Sequence, residues 1–210
     1  MSNTEALTLM PNRPTAKLML ASGSRFRRQM LENAGVSFSV APADVDEVAA
    51  RAKMSDMAPG AVALQLAGLK ALEVSRRFPD ALVIGADQVL ALEGRIFGKP
   101  IDRAAARAQL LQLRGRTHTL PTAVVLAQAG RAVWDHLGVA QLEMRPFGDG
   151  FLDAYLAAAG EVVTETVGGY ALEGLGAQLF ERIEGDYFTV IGLPLIPLLA
   201  ELRRRGVLAD

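Results

Sequence analysis

Cysteine is absent from this 210-residue chain. That excludes disulfides, thiol nucleophiles, iron–sulfur clusters and cysteine-ligated zinc together, and fits a reducing, cytoplasmic setting. Histidine is almost as scarce, with only His118 and His136. Neither lies in a motif that would support a serine triad or a histidine-rich metal centre. No apolar run approaches the roughly 20 residues a membrane-spanning helix needs; the run near the C-terminus, Val190–Ala200, is short and carries Pro194 and Pro197. The N-terminus lacks the basic start and apolar run of a signal peptide. Neither sign of charge dominates, the net being −1, so the chain is not expected to bind a nucleic-acid polymer, which calls for a basic excess. The GxxxxGK[ST] loop of a P-loop NTPase is missing. The glycines of Gly168–Gly176 lack dinucleotide-fingerprint spacing, and read instead as a close-approach segment between strands.

What is present is an ordinary globular composition, 50% apolar and 21% charged. No repeat, low-complexity tract or linker divides the chain. The expectation is a single α/β domain over residues 17–210, preceded by a flexible extension over residues 1–16, which holds Ser, Thr, Asn and two prolines without periodicity. Leu18–Ala21 reads as a strand, Ser22-Gly23-Ser24 as a loop, and Arg25 onward as a helix stopping at Gly35. Three arginines (Arg25, Arg27, Arg28) in that helix's first turn oppose the macrodipole. A local rule broken this way points to an anion pocket at the strand–helix junction.

Further along, Asp44-Val45-Asp46-Glu47 is either a metal-binding edge or a solvated loop. Apolar residues at helical spacing predict a helix over Pro59–Phe78 that contains Lys70, a position that would ordinarily be a surface lysine. The stretch Leu82–Pro100 is the centre of the chain: a β-branched run ending at Gly85, then Asp87, a second apolar run, and the corner Gly98-Lys99-Pro100. An acid at the tip of a buried strand is costly unless paired or bound to a cation. The bland alternative is a turn aspartate bonded to its own loop. Helices are expected at Asp102–Leu113 and Asp149–Ala159. Strands Thr122–Ala127 and Ala132–Val139 pair across Ala129-Gly130, and a last amphipathic helix ends in Arg203-Arg204-Arg205. Acids (Asp44, Asp46, Glu47, Asp87) and cations (Arg27, Arg28, Lys70, Lys99) are the parts for phosphoanhydride chemistry, which needs charge neutralisation and a carboxylate to hold Mg²⁺ or deprotonate water. Spacing alone leads no further than a nucleotide or phosphate enzyme.

Taken together and in order, these segments resemble the Maf family of nucleoside triphosphate pyrophosphatases from about Lys17 to Leu202. Leu20-Ala21-Ser22-Gly23-Ser24 with Arg27-Arg28 is similar to the family's LASxSxxRR opening, and Asp44–Glu47 to its acidic segment. Lys70 matches its helix lysine. Gly85-Ala86-Asp87 with Gly98-Lys99-Pro100 is similar to its centre, and Gly115–His118 and Gly192–Leu195 to two further landmarks. The resemblance implies a mixed twisted sheet flanked by helices, two lobes around a central cleft, and a possible homodimer. It also implies Mg²⁺- or Mn²⁺-dependent cleavage between the α- and β-phosphates of a small-molecule nucleotide. Carried over, Asp87 is the proton acceptor; Ser22, Arg27, Lys70 and Lys99 contact phosphates; Glu47 and Asp87 hold the metal. Asp46 and Ser24 are weaker candidates for metal and phosphate. Phe26, Gln88 and Glu173 stand where the dTTP/UTP branch carries other residues, and resemble the branch acting on 7-methyl-GTP. Arg25 departs from the family's usual proline. The competing expectations are a dTTP/UTP-type enzyme, a hydrolase of deaminated purines, and a nucleotide-binding regulator of septum formation without catalysis.

Overall fold

The computed structural model describes residues 17–209, so the expected N-terminal extension over residues 1–16 lies outside the described residues. The chain opens with β1 (Lys17–Leu20), whose last three residues are buried. The Ser22–Ser24 loop then turns it into α1 (Arg25–Asn33), where Ser24 is the N-cap and its Oγ accepts from the Arg27 amide. Gly35, at φ +70°, ends this helix in the left-handed region that only glycine adopts without strain. A two-residue strand β2 (Ser39–Val40) follows, then a six-residue helix α2 (Glu47–Ala52) capped by the Asp46 carboxylate on the Ala49 amide. Helix α3 (Pro59–Arg77) starts on a proline, whose missing N–H costs nothing there. It buries Val62, Ala63, Leu66, Ala67, Lys70, Ala71 and Val74, the i, i+3/i+4, i+7 face that its periodicity predicts.

Strand β3 (Ala81–Gln88) lies under α3, followed by β4 (Leu90–Leu92), β5 (Arg95–Phe97) and α4 (Arg103–Leu113). The hairpin β6 (Thr117–Gln128) and β7 (Arg131–Met144) is longer than its sequence pattern suggests. The apolar/polar alternation marked only its middle, and pairing runs on from Gln128↔Arg131 to Thr117↔Glu143. The chain continues through α5 (Asp149–Ala159), α6 (Val162–Glu165), a 3₁₀ turn (Leu175–Leu179), β8 (Phe180–Glu184), α7 (Tyr187–Ile191) and α8 (Leu195–Arg204). The basic end of α8 complements its dipole as expected, and Arg204 and Arg205 also fold back onto the buried Glu201 carboxylate.

The sheet is mixed: β2–β1–β3 are parallel, while β3–β6, β6–β4, β4–β5, β6–β7 and β7–β8 are antiparallel. Four apolar clusters pack on it; the two smaller lie between the sheet and α3, and the two larger lie apart. One gathers Leu20, Leu31, Ile84, Leu126, Leu198 and Leu202 from β1, α1, β3, β6 and α8. The other gathers Leu90, Leu110, Leu113, Leu142, Leu152 and Tyr170 around α4 and α5. These cores give the two lobes, with a cleft where the C-terminal end of β3 emerges between them.

Two local readings differ from the structure. The strand expected to end at Gly85 runs through it to Gln88. The glycine is there because a side chain would collide with α3: a Cβ at Gly85 would lie 2.3 Å from the Ala67 carbonyl and 2.7 Å from the Ala71 Cβ. The segment from Gly168 is a turn and a 3₁₀ stretch, and only Gly168, against Leu90 of β4, and Gly185, against Ala140 of β7, make the expected close approaches to strands. Gly168 and Gly169, at φ +90° and +72°, turn the chain beneath Leu90 and Tyr170 before the 3₁₀ turn.

Replacing Gly85 by Ala should therefore force β3 and α3 apart. We expect a loss of about 1–3 kcal/mol or more, read as a lowered urea midpoint, whereas Gly23→Ala, which meets nothing within 4 Å, should be close to neutral.

Candidate active site

Alternation along β3 decides what reaches the cleft. Val83, Gly85 and Asp87 face α3, whereas Ile84, Ala86 and Gln88 face the opposite layer. Because Gly85 lets the helix backbone approach, Lys70, between Ala67 and Ala71 on α3, sits directly over Asp87. The lysine Nζ donates to Asp87 Oδ1 at 2.7 Å and pairs with Glu47 Oε1 at 2.8 Å. Asp87 and Lys70 are 4% and 9% exposed, so this is a buried ion cluster rather than a surface contact. Asp87 is not a turn residue bonded to its own loop; both carboxylate oxygens meet cations, since Arg51 of α2 donates from Nη2 to Oδ2 at 3.4 Å.

The strand–helix junction supplies the anion side. Ser22 Oγ accepts from the Ser24 amide at 3.2 Å and from Arg27 Nη1 at 3.1 Å, and Arg27 Nε donates to the Gly192 carbonyl at 2.8 Å. Of the three arginines at this helix start, only Arg27 turns into the cleft. Arg28 is exposed, and Arg25 crosses the entrance to pair with Glu165 of α6 at 2.6 Å. Lys99 reaches the same cleft from the corner after β5, and among the described residues it forms no ion pair. Burial lowers its pKa, as do the charges of Arg27 and Lys70, with Glu47 and Asp87 acting in the opposite sense. Burial likewise lowers that of Arg27 against the pull of Asp87 and Glu47. Glu47 goes the other way from its burial: desolvation raises it, but the hydrogen bond and charge of Lys70, with Arg51 and Arg27, outweigh that and hold the carboxyl below its ordinary range. The cleft, of about 380 Å³, is lined by Arg27, Glu47, Arg51, Lys70, Asp87 and Lys99.

Phe26, Gln88 and Glu173 come together in one pocket at the cleft's inner end, with Tyr170, Leu172 and Ile191. At about 30 Å³ it holds no more than a few waters, so a purine would have to part its walls. Phe26 and Glu173 also border an apolar groove of about 440 Å³ against α7 and α8. Gln88 is held by its amide nitrogen, which donates to Thr122 Oγ1 at 2.9 Å and to the Thr189 and Val190 carbonyls at 2.9 and 3.1 Å. Carbonyls only accept, so this fixes the amide orientation and leaves Oε1, an acceptor, for a ligand. Behind the pocket, His118 Nε2 and the Tyr170 hydroxyl lie 2.6 Å apart.

Apart from Asp46, the residues proposed from the sequence as catalytic, phosphate-binding, metal-binding or base-selecting lie along this connected cleft and pocket, Ser22 through its bond to Arg27. Asp46 does not contribute, because its carboxylate caps α2. Ser24 caps α1 as well as bordering the cleft. Arg51 and Thr122 were missed. Arg51 follows the acidic segment by one helical turn, and that spacing from Glu47 was the available signal; nothing local marks Thr122. Among the described residues, no group of three or more His, Cys, Asp or Glu side chains could hold a metal ion.

A buried carboxylate and a partly exposed one, facing several cations across one cleft on a mixed α/β sheet, define a polyphosphate-handling protein class. A family model described as Maf-like protein matches residues 17–205, and the chain belongs to that family. It is 52% identical over 196 residues to the 7-methyl-GTP pyrophosphatase of Mesorhizobium japonicum, covering 92% of this chain and 98% of the relative. It is 51% identical over 192 residues to the protein of the same name from Brucella abortus (90% and 96%). It is 54% identical over 192 residues to the nucleoside triphosphate pyrophosphatase of Paramagnetospirillum magneticum (90% and 99%).

Burial also lowers the pKa of His118, which is 1% exposed, from 6.5 to about 4. The unfolded chain then binds the proton that the folded chain refuses, so stability present above pH 6.5 is lost as pH falls towards 4. The loss is on the order of 3 kcal/mol. Urea midpoints at pH 7, 5.5 and 4 should fall in step, and His118→Phe should flatten that part of the profile.

Proposed function

We propose that this protein is a nucleoside triphosphate pyrophosphatase of the cytoplasm that prefers a 7-methyl-GTP-like nucleotide. The observation that carries the reading is the buried Asp87–Lys70 pair, joined by Glu47, opposite Arg27 and Lys99 in one cleft. Asp87 takes the proton of a water attacking the α-phosphorus; the bond to the bridging oxygen breaks, giving nucleoside monophosphate and pyrophosphate. Ser22, Arg27, Lys70 and Lys99 hold the phosphates and neutralise the charge that moves to the leaving group, a contribution that needs no reorganisation because Arg27 is already fixed at both ends of its guanidinium. No helix of the described residues is long and apolar enough to cross a membrane, which accords with a dissolved nucleotide as substrate.

A divalent ion fits the acid pair. Asp87 and Glu47, from separate elements, already converge on one cation, the Lys70 ammonium, at 2.7 and 2.8 Å. Two carboxylates without a third acid suit Mg²⁺ or Mn²⁺ shared with substrate phosphates rather than an all-protein cage. When bound, such an ion supplies Lewis-acid polarisation of the phosphates.

Base choice rests on Phe26, Gln88 and Glu173. N7-methylguanine is cationic, so an aromatic face and a carboxylate both favour it over a neutral pyrimidine. The inward-anchored Gln88 amide leaves its carbonyl free in a pocket that Glu173 also lines. Two acceptors complement the N1–H and amino donors of guanine, which uracil lacks as a set.

In a pyrophosphate-release assay with Mg²⁺, kcat/KM should be higher for 7-methyl-GTP than for UTP, dTTP or GTP; best turnover of UTP or dTTP would leave the pyrophosphatase standing and remove the base preference. Asp87→Asn should lower kcat by roughly 10²-fold or more with an unchanged circular-dichroism spectrum. Glu173→Gln should narrow the ratio of 7-methyl-GTP to UTP about tenfold, the equivalent of about 1.4 kcal/mol.

A further inference from the structure

Arg51 is a charged group at the centre of the cleft to which the reading above gives no task. It projects from α2, a six-residue helix none of whose residues is buried. One arm of its guanidinium rests on Asp87 Oδ2 at 3.4 Å, much longer than the 2.7 Å bond that Lys70 makes to Oδ1. The other arm, Nη1, is shielded from solvent and has no hydrogen-bond partner among the described residues. A shielded cationic N–H with no acceptor is an unfavourable resting arrangement, and a long bond is easily exchanged. The cleft around it is lined by Arg27, Lys70 and Lys99, so the acceptor that this surface gathers is a polyphosphate.

Resting on the pyrophosphatase reading, we propose that Arg51 is an additional phosphate-binding residue that gives up Asp87 when the triphosphate arrives. In the empty cleft its guanidinium covers the second oxygen of the carboxylate. On binding, a phosphate oxygen satisfies the idle Nη1 and draws the guanidinium off Asp87, exposing Oδ2 to the attacking water. Substrate entry thereby uncovers the base, and an open cleft keeps it masked by a cation. No bond is made or broken in this exchange, only two hydrogen bonds to the same guanidinium. Helix α2 also rests on the core beneath α3 through the partly buried Ala50, so the exchange needs only the Arg51 side chain to swing and no shift of the helix.

The test uses the full chain and inorganic pyrophosphate as probe, titrated calorimetrically without metal, beside steady-state kinetics with Mg²⁺. Arg51→Gln should weaken pyrophosphate binding roughly ten- to a hundredfold, the range for a lost charge-assisted contact. It should raise KM by a similar factor while kcat, with Asp87 unmasked in the variant, falls less than threefold. Arg51→Lys should recover most of the affinity. An unchanged pyrophosphate Kd in Arg51→Gln overturns the assignment, whatever happens to kcat, because the residue would then act only through Asp87. A lysine that restores nothing also overturns it, as that marks collapse of α2 rather than loss of a cation. Should the unaltered protein hydrolyse no nucleoside triphosphate, the pyrophosphatase reading fails by itself, and the pyrophosphate affinities still decide the role of Arg51.

Discussion

The Lys70 ammonium is the interaction on which the rest of the site depends. It is buried on a helix that faces the sheet, and a charge there is tolerated only because two carboxylates from different elements meet it, Asp87 from β3 and Glu47 from α2. Three segments separated in sequence are thereby held within one hydrogen-bonded cluster. Helix α2 buries no residue fully, and this contact, together with the partly buried Ala50 on the core beneath α3, holds it in place. The cluster in turn depends on the absent side chain at Gly85, without which the helix could not lie close enough for Lys70 to reach down. A missing methyl group and a buried charge therefore act as one device.

The opposing wall is organised differently. Arg27 is braced by Ser22 and the Gly192 carbonyl, contacts that tie the first strand–helix junction to the turn before α8. An arginine at the wrong end of a helix is thus explained by tertiary partners far along the chain. Arg25, its neighbour two residues earlier, makes a pair of mostly exposed groups across the cleft entrance, and such a pair adds little stability.

Much of this was legible in the sequence, and the exceptions have physical reasons. Capping and glycine signals placed α1, α4 and α5 closely, and apolar periodicity placed α3, since those signals are local. The full length of the β6–β7 hairpin was not visible, because its ends are stabilised by cross-strand pairing rather than by their own pattern. Gly85 reads in sequence as a strand terminator, and only the helix above it reveals that it is a contact point. Family resemblance, not spacing, singled out Lys70, because a lysine on a helical face reads as solvated until its partners are known. Arg51 and Thr122 escaped for the same reason: each matters through a residue distant in sequence, Asp87 in one case and Gln88 in the other.

Adjacent residues of a strand point to opposite sides, and β3 ends with its proposed base on one side and its proposed base-pairing amide on the other. Asp87 answers to α2 and α3, whereas Gln88 answers to Thr122 and the start of α7. The two peptide neighbours therefore belong to separate packing neighbourhoods. Substitutions at Glu173 and the pocket wall beyond it can accumulate without disturbing the hydrolytic half, whereas Phe26 and Gln88 line the catalytic cleft as well. Descendants of one ancestral hydrolase could then diverge in diet while keeping a common engine, which is an evolutionary freedom written into the pleat of a single strand.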